Sequence, residues 1–222
     1  MAISEWNIGY SVLSEPLRAW KIGDAGECIH FYGGFHGDEP EGVQLALTLK
    51  EYLLNNPDQF LQKTLIIVPI ANPDGFKNKT RVNANKVDLN RNFPTKDWAK
   101  DWTSKAGQPK YYPGPKPGSE PEVQAIVDLI EKSRPRKIIS FHSLNPHQIN
   151  YDGPARELAH AMAKHNSYPI TEDIGYPTPG SLGNYAGREK KIAVITYELP
   201  EKISPTQAWR ESLEAILEAI QF

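Results

Sequence analysis

The stretch Cys28-Ile29-His30-Phe31-Tyr32-Gly33-Gly34-Phe35-His36-Gly37-Asp38-Glu39-Pro40 carries the reading of the fold. An apolar run rich in strand-forming residues enters a Gly-Gly pair, crosses a short turn and meets a proline suited to a first helical position. Strand, turn and helix in that order form half of a layered α/β unit. In open α/β sheets ligands gather at the carboxyl ends of the strands, which is where His36 and Glu39 stand. Imidazole nitrogen and carboxylate oxygen are both zinc ligands, and a catalytic zinc takes three protein ligands and keeps one position open. An isolated His-x-x-Glu also arises by chance or as a helix-capping carboxylate, and the glycines around it add the capacity for close approach of backbone and metal.

On either side of this stretch β-rich runs alternate with helical patterns, which predicts α/β layering around a mostly parallel or mixed sheet. Strands are expected at Ile8 to Ser14, Leu17 to Ile22, Cys28 to Phe35, Thr64 to Ile70, Lys137 to Phe141, Gln148 to Tyr151 and Ile192 to Glu198. The first two read as a hairpin through Ser14-Glu15-Pro16. Helices are expected over Pro40 to Leu54, with Val43, Leu47 and Leu54 along its apolar side, and over Val123 to Lys132 behind a capping box Ser119-Glu120-Pro121-Glu122. Two more run over Pro154 to His165 and from Ser204-Pro205 to Ile220, the last with Trp209, Leu213, Ile216 and Ile220 on one face. Between Phe93 and Gly118 lies a Lys-, Trp-, Tyr- and Pro-rich stretch without a period, a long loop of the kind that walls a site.

With 222 residues and no internal repeat or linker, the chain fits one catalytic domain over 1–222. A net charge of -2 gives no reason to expect a nucleic-acid or membrane partner, and the basic segment Arg134 to Lys137 reads as a solvated loop. No apolar run reaches membrane-spanning length and the first residues lack a leader-like pattern, so a cytoplasmic protein is expected. Cys28, the single cysteine, excludes an intramolecular disulfide and a thiolate metal site and reads as a buried inert thiol.

Three further segments carry chemistry. Ile138-Ile139-Ser140-Phe141-His142-Ser143 ends an apolar strand on a histidine, a third ligand candidate or a hydrogen-bonded core residue, with His147 as competitor. Ile192-Ala193-Val194-Ile195-Thr196-Tyr197-Glu198-Leu199-Pro200 closes a strand on a carboxylate. Such a group pairs with a cation or works as an acid/base whose pKa desolvation raises. Arg81 and the run Asp88-Leu89-Asn90-Arg91-Asn92-Phe93-Pro94 offer bidentate donors for a substrate carboxylate or an oxyanion.

In this order the His-x-x-Glu, Arg81, the Asp-Leu-Asn-Arg-Asn-Phe-Pro run, the Phe-His-Ser and the strand-terminal glutamate resemble the zinc carboxypeptidase A family, over about Gly33 to Pro200. The resemblance implies a three-layer, zinc-peptidase-like α/β fold in which helices flank a mixed, mostly parallel twisted sheet. It implies one Zn2+ per chain, held by His36, Glu39 and His142, with Glu198 as general base and Arg81 stabilising the oxyanion. Asn90 and Arg91 would hold the substrate's terminal carboxylate. Tyr176 would be the mobile tyrosine of the specificity loop, with Tyr185 a nearby competitor, and Ser143 and Asp152 would be further substrate contacts.

Within that family the chain is similar to the murein peptide amidase A branch, through its small size, the segment Ile174-Gly175-Tyr176-Pro177-Thr178-Pro179-Gly180-Ser181 and Asp152. That branch implies a small peptide substrate with a free carboxylate, cleaved at the γ-D-glutamyl to meso-diaminopimelate bond of murein tripeptide during cell-wall recycling in the cytoplasm. Asp152 would then meet the second amine of diaminopimelate. No acidic residue follows Gly180-Ser181 in Leu182-Gly183-Asn184-Tyr185, which argues against a simple basic C-terminal residue. Alternatives are a conventional carboxypeptidase, an N-acyl amino acid deacylase of the aspartoacylase and succinylglutamate desuccinylase type, and an inactive module binding peptidoglycan fragments.

Overall fold

The computed structural model describes residues 3–101 and 109–222, so part of the Phe93 to Gly118 loop lies outside the described residues. The described residues form one eight-stranded sheet in the order β1-β2-β4-β3-β5-β8-β6-β7. Its strands are β1 Ile3–Tyr10, β2 Pro16–Ile22, β3 Glu27–Gly33, β4 Lys63–Val68, β5 Lys137–Ser143, β6 Gln148–Asp152, β7 Ile170–Thr171 and β8 Ala193–Leu199. The central ladders β4/β3, β3/β5 and β5/β8 are parallel, whereas β1/β2, β2/β4 and β6/β8 are antiparallel.

Alternation along the central strands makes two cores. Phe31, Ile139 and Ile195 face α1 (Pro40–Asn55), α4 (Arg156–Ala163) and α5 (Pro205–Gln221). Tyr32, Ile138 and Val194 face the opposite layer, with Ile126 and Ile130 of α3 (Pro121–Ser133). The expected three-layer, mixed sheet is thus present. From β3 the chain leaves to β4 on one side and β5 lies on the other, a switch point that opens a crevice at the carboxyl ends of β3, β5 and β8. No helix of the described residues is long and apolar enough to cross a membrane.

Several local expectations are corrected. The first strand ends at Tyr10 rather than running from Ile8 to Ser14, because Ser11 donates its N–H to the Glu15 carbonyl and accepts one from Ser14, closing a turn over those residues. On α1 the core face is Leu45, Leu49 and Leu53, while Leu47 and Leu54 stay only partly buried. Short helix α2 (Pro73–Asn78) and strand β7 have no periodic signal and were not expected. On α5 the Ser204 hydroxyl caps the helix, accepting from Gln207 N–H at 3.3 Å, but Ala208, Ala215 and Ala219 share the buried face that was read as Trp209 and Leu213. Cys28 is half-buried, and burial pushes its thiol up to about 11.

The capping box before α3 does not form. Ser119 Oγ donates to Glu120 instead, and Glu122, wholly buried, turns inward to accept from Val12 N–H and Asn83 Nδ2, each at 3.2 Å. Burial, reinforced by the neighbouring Glu120 carboxylate, pushes Glu122 up to about 7 from an ordinary value of 4.5. The folded state then binds the proton more tightly than the unfolded chain, so stability falls as pH rises from about 4.5 to about 7, by on the order of 3 kcal/mol in full. Glu122→Gln is expected to flatten this part of the Tm profile between pH 5 and pH 8. An unchanged slope in thermal unfolding would refute the assignment.

Candidate active site

The end of β3 leads through a tight turn to His36, buried at 4 % exposure. A Cβ at Gly37 would sit 2.0 Å from the Gly75 carbonyl carbon, so this glycine serves the packing of the turn on α2. Glu39 precedes α1 at its N-cap, yet its side chain makes no capping hydrogen bond. It turns into the crevice, with Oε1 2.7 Å from His36 Nδ1 and Oε2 2.8 Å from His142 Nδ1. The helix-capping reading of this carboxylate is thereby excluded.

His142, near the end of β5, is 3 % exposed and lies under the ring of Phe35, stacked at 6.1 Å with 4° between planes. Its Nδ1 is 3.2 Å from His36 Nδ1. Two imidazole nitrogens that close share at most one proton, and a cation among them and the carboxylate satisfies all three groups at once. Ligand atoms of His36, Glu39 and His142 all lie within 4.8 Å of one another, and among the described residues this is the one group of three that could hold a metal. The competitor His147 packs its ring against Tyr168 at 4.4 Å in a different part of the molecule.

A second layer orients these groups. His36 Nε2 lies 3.2 Å from Asp88 Oδ1, which favours a proton on Nε2 and leaves Nδ1 free to ligate. Arg81 joins the two acidic groups, donating from Nε to Asp88 Oδ2 at 3.1 Å and from Nη1 to Glu39 Oε1 at 3.2 Å. Burial alone would raise both carboxyls. For Asp88, Arg81 and His36 outweigh it, and for Glu39 the two imidazoles do, so both are held well below the usual carboxylate range. Asp88 is the group the sequence reading missed. Its signal was its place in the same motif as Asn90 and Arg91.

Glu198 stands directly across from His142 in the β5/β8 register. It is 7 % exposed and forms no ion pair among the described residues, which removes the structural salt-bridge alternative. Desolvation pushes its carboxyl up to about 7, opposed by His142 and reinforced by Glu39.

A cleft of about 540 Å³ collects the remaining candidates: Arg81, Asn90, Arg91, Ser143, Asp152 and Tyr176 all line it. Arg91 is 1 % exposed, donates from Nη1 to the Asn90 carbonyl at 2.6 Å and forms no ion pair among the described residues. Asn90 is fixed by accepting from Leu182 N–H at 2.9 Å. Ser143 donates to Glu41 at 3.0 Å. Tyr176 is among the exposed aromatic residues and faces the Arg91 guanidinium at 6.0 Å. Tyr185, its competitor, is buried, packs on Phe93 and donates to Glu131 away from the cleft. From the described part of the long loop, Asp97 lines the cleft, and Tyr111 covers Arg81 at 5.1 Å and meets Tyr176 at 6.5 Å.

A sequence profile described as zinc carboxypeptidase matches residues 3–212. The chain belongs to the zinc carboxypeptidase family. Members of this family are zinc-dependent metallopeptidases, and the triad of His36, Glu39 and His142 fits that cofactor in donor type, burial and mutual approach. The chain is 34% identical over 228 residues to murein peptide amidase A of Vibrio campbellii, covering 99% of this chain and 88% of that protein. It is also 30% identical over 176 residues to gamma-D-glutamyl-L-diamino acid endopeptidase 1 of Lysinibacillus sphaericus, over 61% of this chain and 44% of that one. Among zinc carboxypeptidase structures, murein-tripeptide amidase MpaA from Escherichia coli O157 superposes with a TM-score of 0.80 at 31% identity, over 99% of this chain and 92% of that chain. Family membership makes this chain a hydrolase of peptide bonds.

Proposed function

We propose that this zinc carboxypeptidase cleaves the γ-D-glutamyl to meso-diaminopimelate bond of murein tripeptide. The observation that carries the reading is Arg91, a buried guanidinium without an ion pair among the described residues, opening into the same cleft as the metal triad and Glu198. A buried unpaired cation there calls for an anion, and the free carboxylate of a leaving amino acid supplies it. The near full-length similarity to murein peptide amidase A supports the choice of this particular amide. Cytoplasmic cell-wall recycling, and action as a single catalytic domain over 1–222, belong to the same reading.

When bound by His36, Glu39 and His142, zinc polarises the scissile carbonyl and acidifies water. Glu198 accepts the proton of the attacking water and delivers it to the departing amine. Arg81, already held by Asp88, donates to the oxygen on which charge develops. Asn90 and Arg91 hold the terminal carboxylate, Tyr176 closes over it, and Ser143 and Asp152 contact the rest of the substrate.

Zinc-loaded protein is expected to release diaminopimelate from L-alanyl-γ-D-glutamyl-meso-diaminopimelate, and a chelator to stop the release. Zinc-loaded protein that leaves this tripeptide intact while hydrolysing ordinary C-terminal peptides would overturn the substrate assignment and keep the peptidase.

A further inference from the structure

The cleft continues past Glu198. In the β6/β8 ladder Gln148 faces Glu198, Asn150 faces Thr196 and Asp152 faces Val194. Residues two apart on a strand share a face, so Glu198, Thr196, Asn150 and Asp152 line one continuous floor. Asp152 lies four register positions from Glu198, about 13 Å along the sheet.

At the far end of this floor stands an ion pair between the side chains of Asp152 and Arg188. Asp152 accepts from Arg188 Nε at 2.8 Å, with the Asp152 side chain 11% exposed and that of Arg188 57%. Arg188 belongs to the π-helical segment Gly183–Glu189, which lies directly against Asp152. A Cβ at Gly183 would come within 2.1 Å of Asp152 Oδ2, and one at Gly187 within 2.6 Å of Asp152 Cβ. Gly187 therefore excludes a side chain, a side chain at Gly183 would have to displace the Asp152 carboxylate, and the segment approaches closely enough to bring Arg188 beside that carboxylate. Among the described residues the two terminal nitrogens of Arg188 have no hydrogen-bond partner. Burial holds the Asp152 carboxyl above its ordinary range in spite of Arg188, so this carboxylate is underserved by water and gains from a second cation. Glu172 adds negative charge on the same side of the cleft.

We propose that Asp152 and Arg188 together recognise an α-amino-acid head group at the end of the substrate side chain, its ammonium on Asp152 and its carboxylate on the free nitrogens of Arg188. A negative and a positive group held side by side match an ammonium and a carboxylate borne by one carbon. A lysine side chain brings the amine alone and leaves Arg188 unanswered. The inference rests on the substrate reading above and adds Arg188 as a specificity residue.

The test compares kcat/KM for tripeptides ending in meso-diaminopimelate and in L-lysine, using zinc-loaded wild type, Arg188→Ala and Arg188→Lys. A charge-assisted contact corresponds to a preference of roughly 10- to 100-fold for diaminopimelate in the wild type. That ratio should fall to near unity in Arg188→Ala and recover in part in Arg188→Lys. A ratio unchanged by Arg188→Ala, or absent in the wild type, overturns the inference and leaves the substrate reading standing. Wild type that hydrolyses neither tripeptide refutes the substrate reading and this inference with it.

Discussion

Glu198→Gln is expected to lower kcat by about 10³- to 10⁴-fold, the upper part of the range for losing a positioned general base, with zinc still bound. Glutamine matches glutamate in shape and leaves the β5/β8 ladder and the facing His142 undisturbed. What it lacks is the capacity to take a proton. Glu198 is 7 % exposed and sits in no ion pair among the described residues, so the substitution uncovers no counter-charge and should not weaken the fold. Metal analysis and single-turnover kinetics on the tripeptide check both halves. A variant that retains zinc and turns over at the wild-type rate would remove Glu198 from the chemistry, and one that loses zinc would make it part of the metal's surroundings.

Arg81→Ala is expected to cost about 10²- to 10³-fold in kcat, as for the loss of one preorganised oxyanion donor, and to destabilise the protein as well. Arg81 bridges Asp88 and Glu39, and Asp88 is completely buried. Removing the guanidinium leaves Asp88 with the imidazole of His36 and the Asn90 N–H but without its full cationic partner, and breaking a buried pair in this way costs about 3–5 kcal/mol. For a chain of this size that corresponds to a fall in Tm of roughly 10 °C. Measuring kcat below the new Tm separates the two effects. Full activity there would leave Arg81 a structural role only.

The parts of the molecule that were legible in the amino-acid order are those set by local burial. Strands β3, β4, β5 and β8 are apolar runs buried on both faces, and each lies within about two residues of its expected bounds. The ligand and base candidates could be read because each ends or follows such a strand. Elements decided by distant partners could not. Glu122 reads as half of a capping box until Val12 and Asn83 arrive from other parts of the chain. Leu47 reads as core until α1 is seen to bury Gly42 and Ala46, small residues that turn a different stripe of leucines inward. Arg188 and Asp152 are 36 positions apart, and neither predicts the other.

The direct pairing of His142 with Glu198 across β5 and β8 divides the molecule's capacity for change unequally. A metal ligand and the base are held at neighbouring points of one hydrogen-bonded lattice, and a slip of one residue would turn Glu198 to the other face of the sheet. Tyr176, Arg188 and Tyr111 stand instead on segments outside the strands. Chemistry is thus anchored where drift is punished and recognition where it is tolerated, so a new diet for this enzyme can be written in its loops while its reaction stays the same.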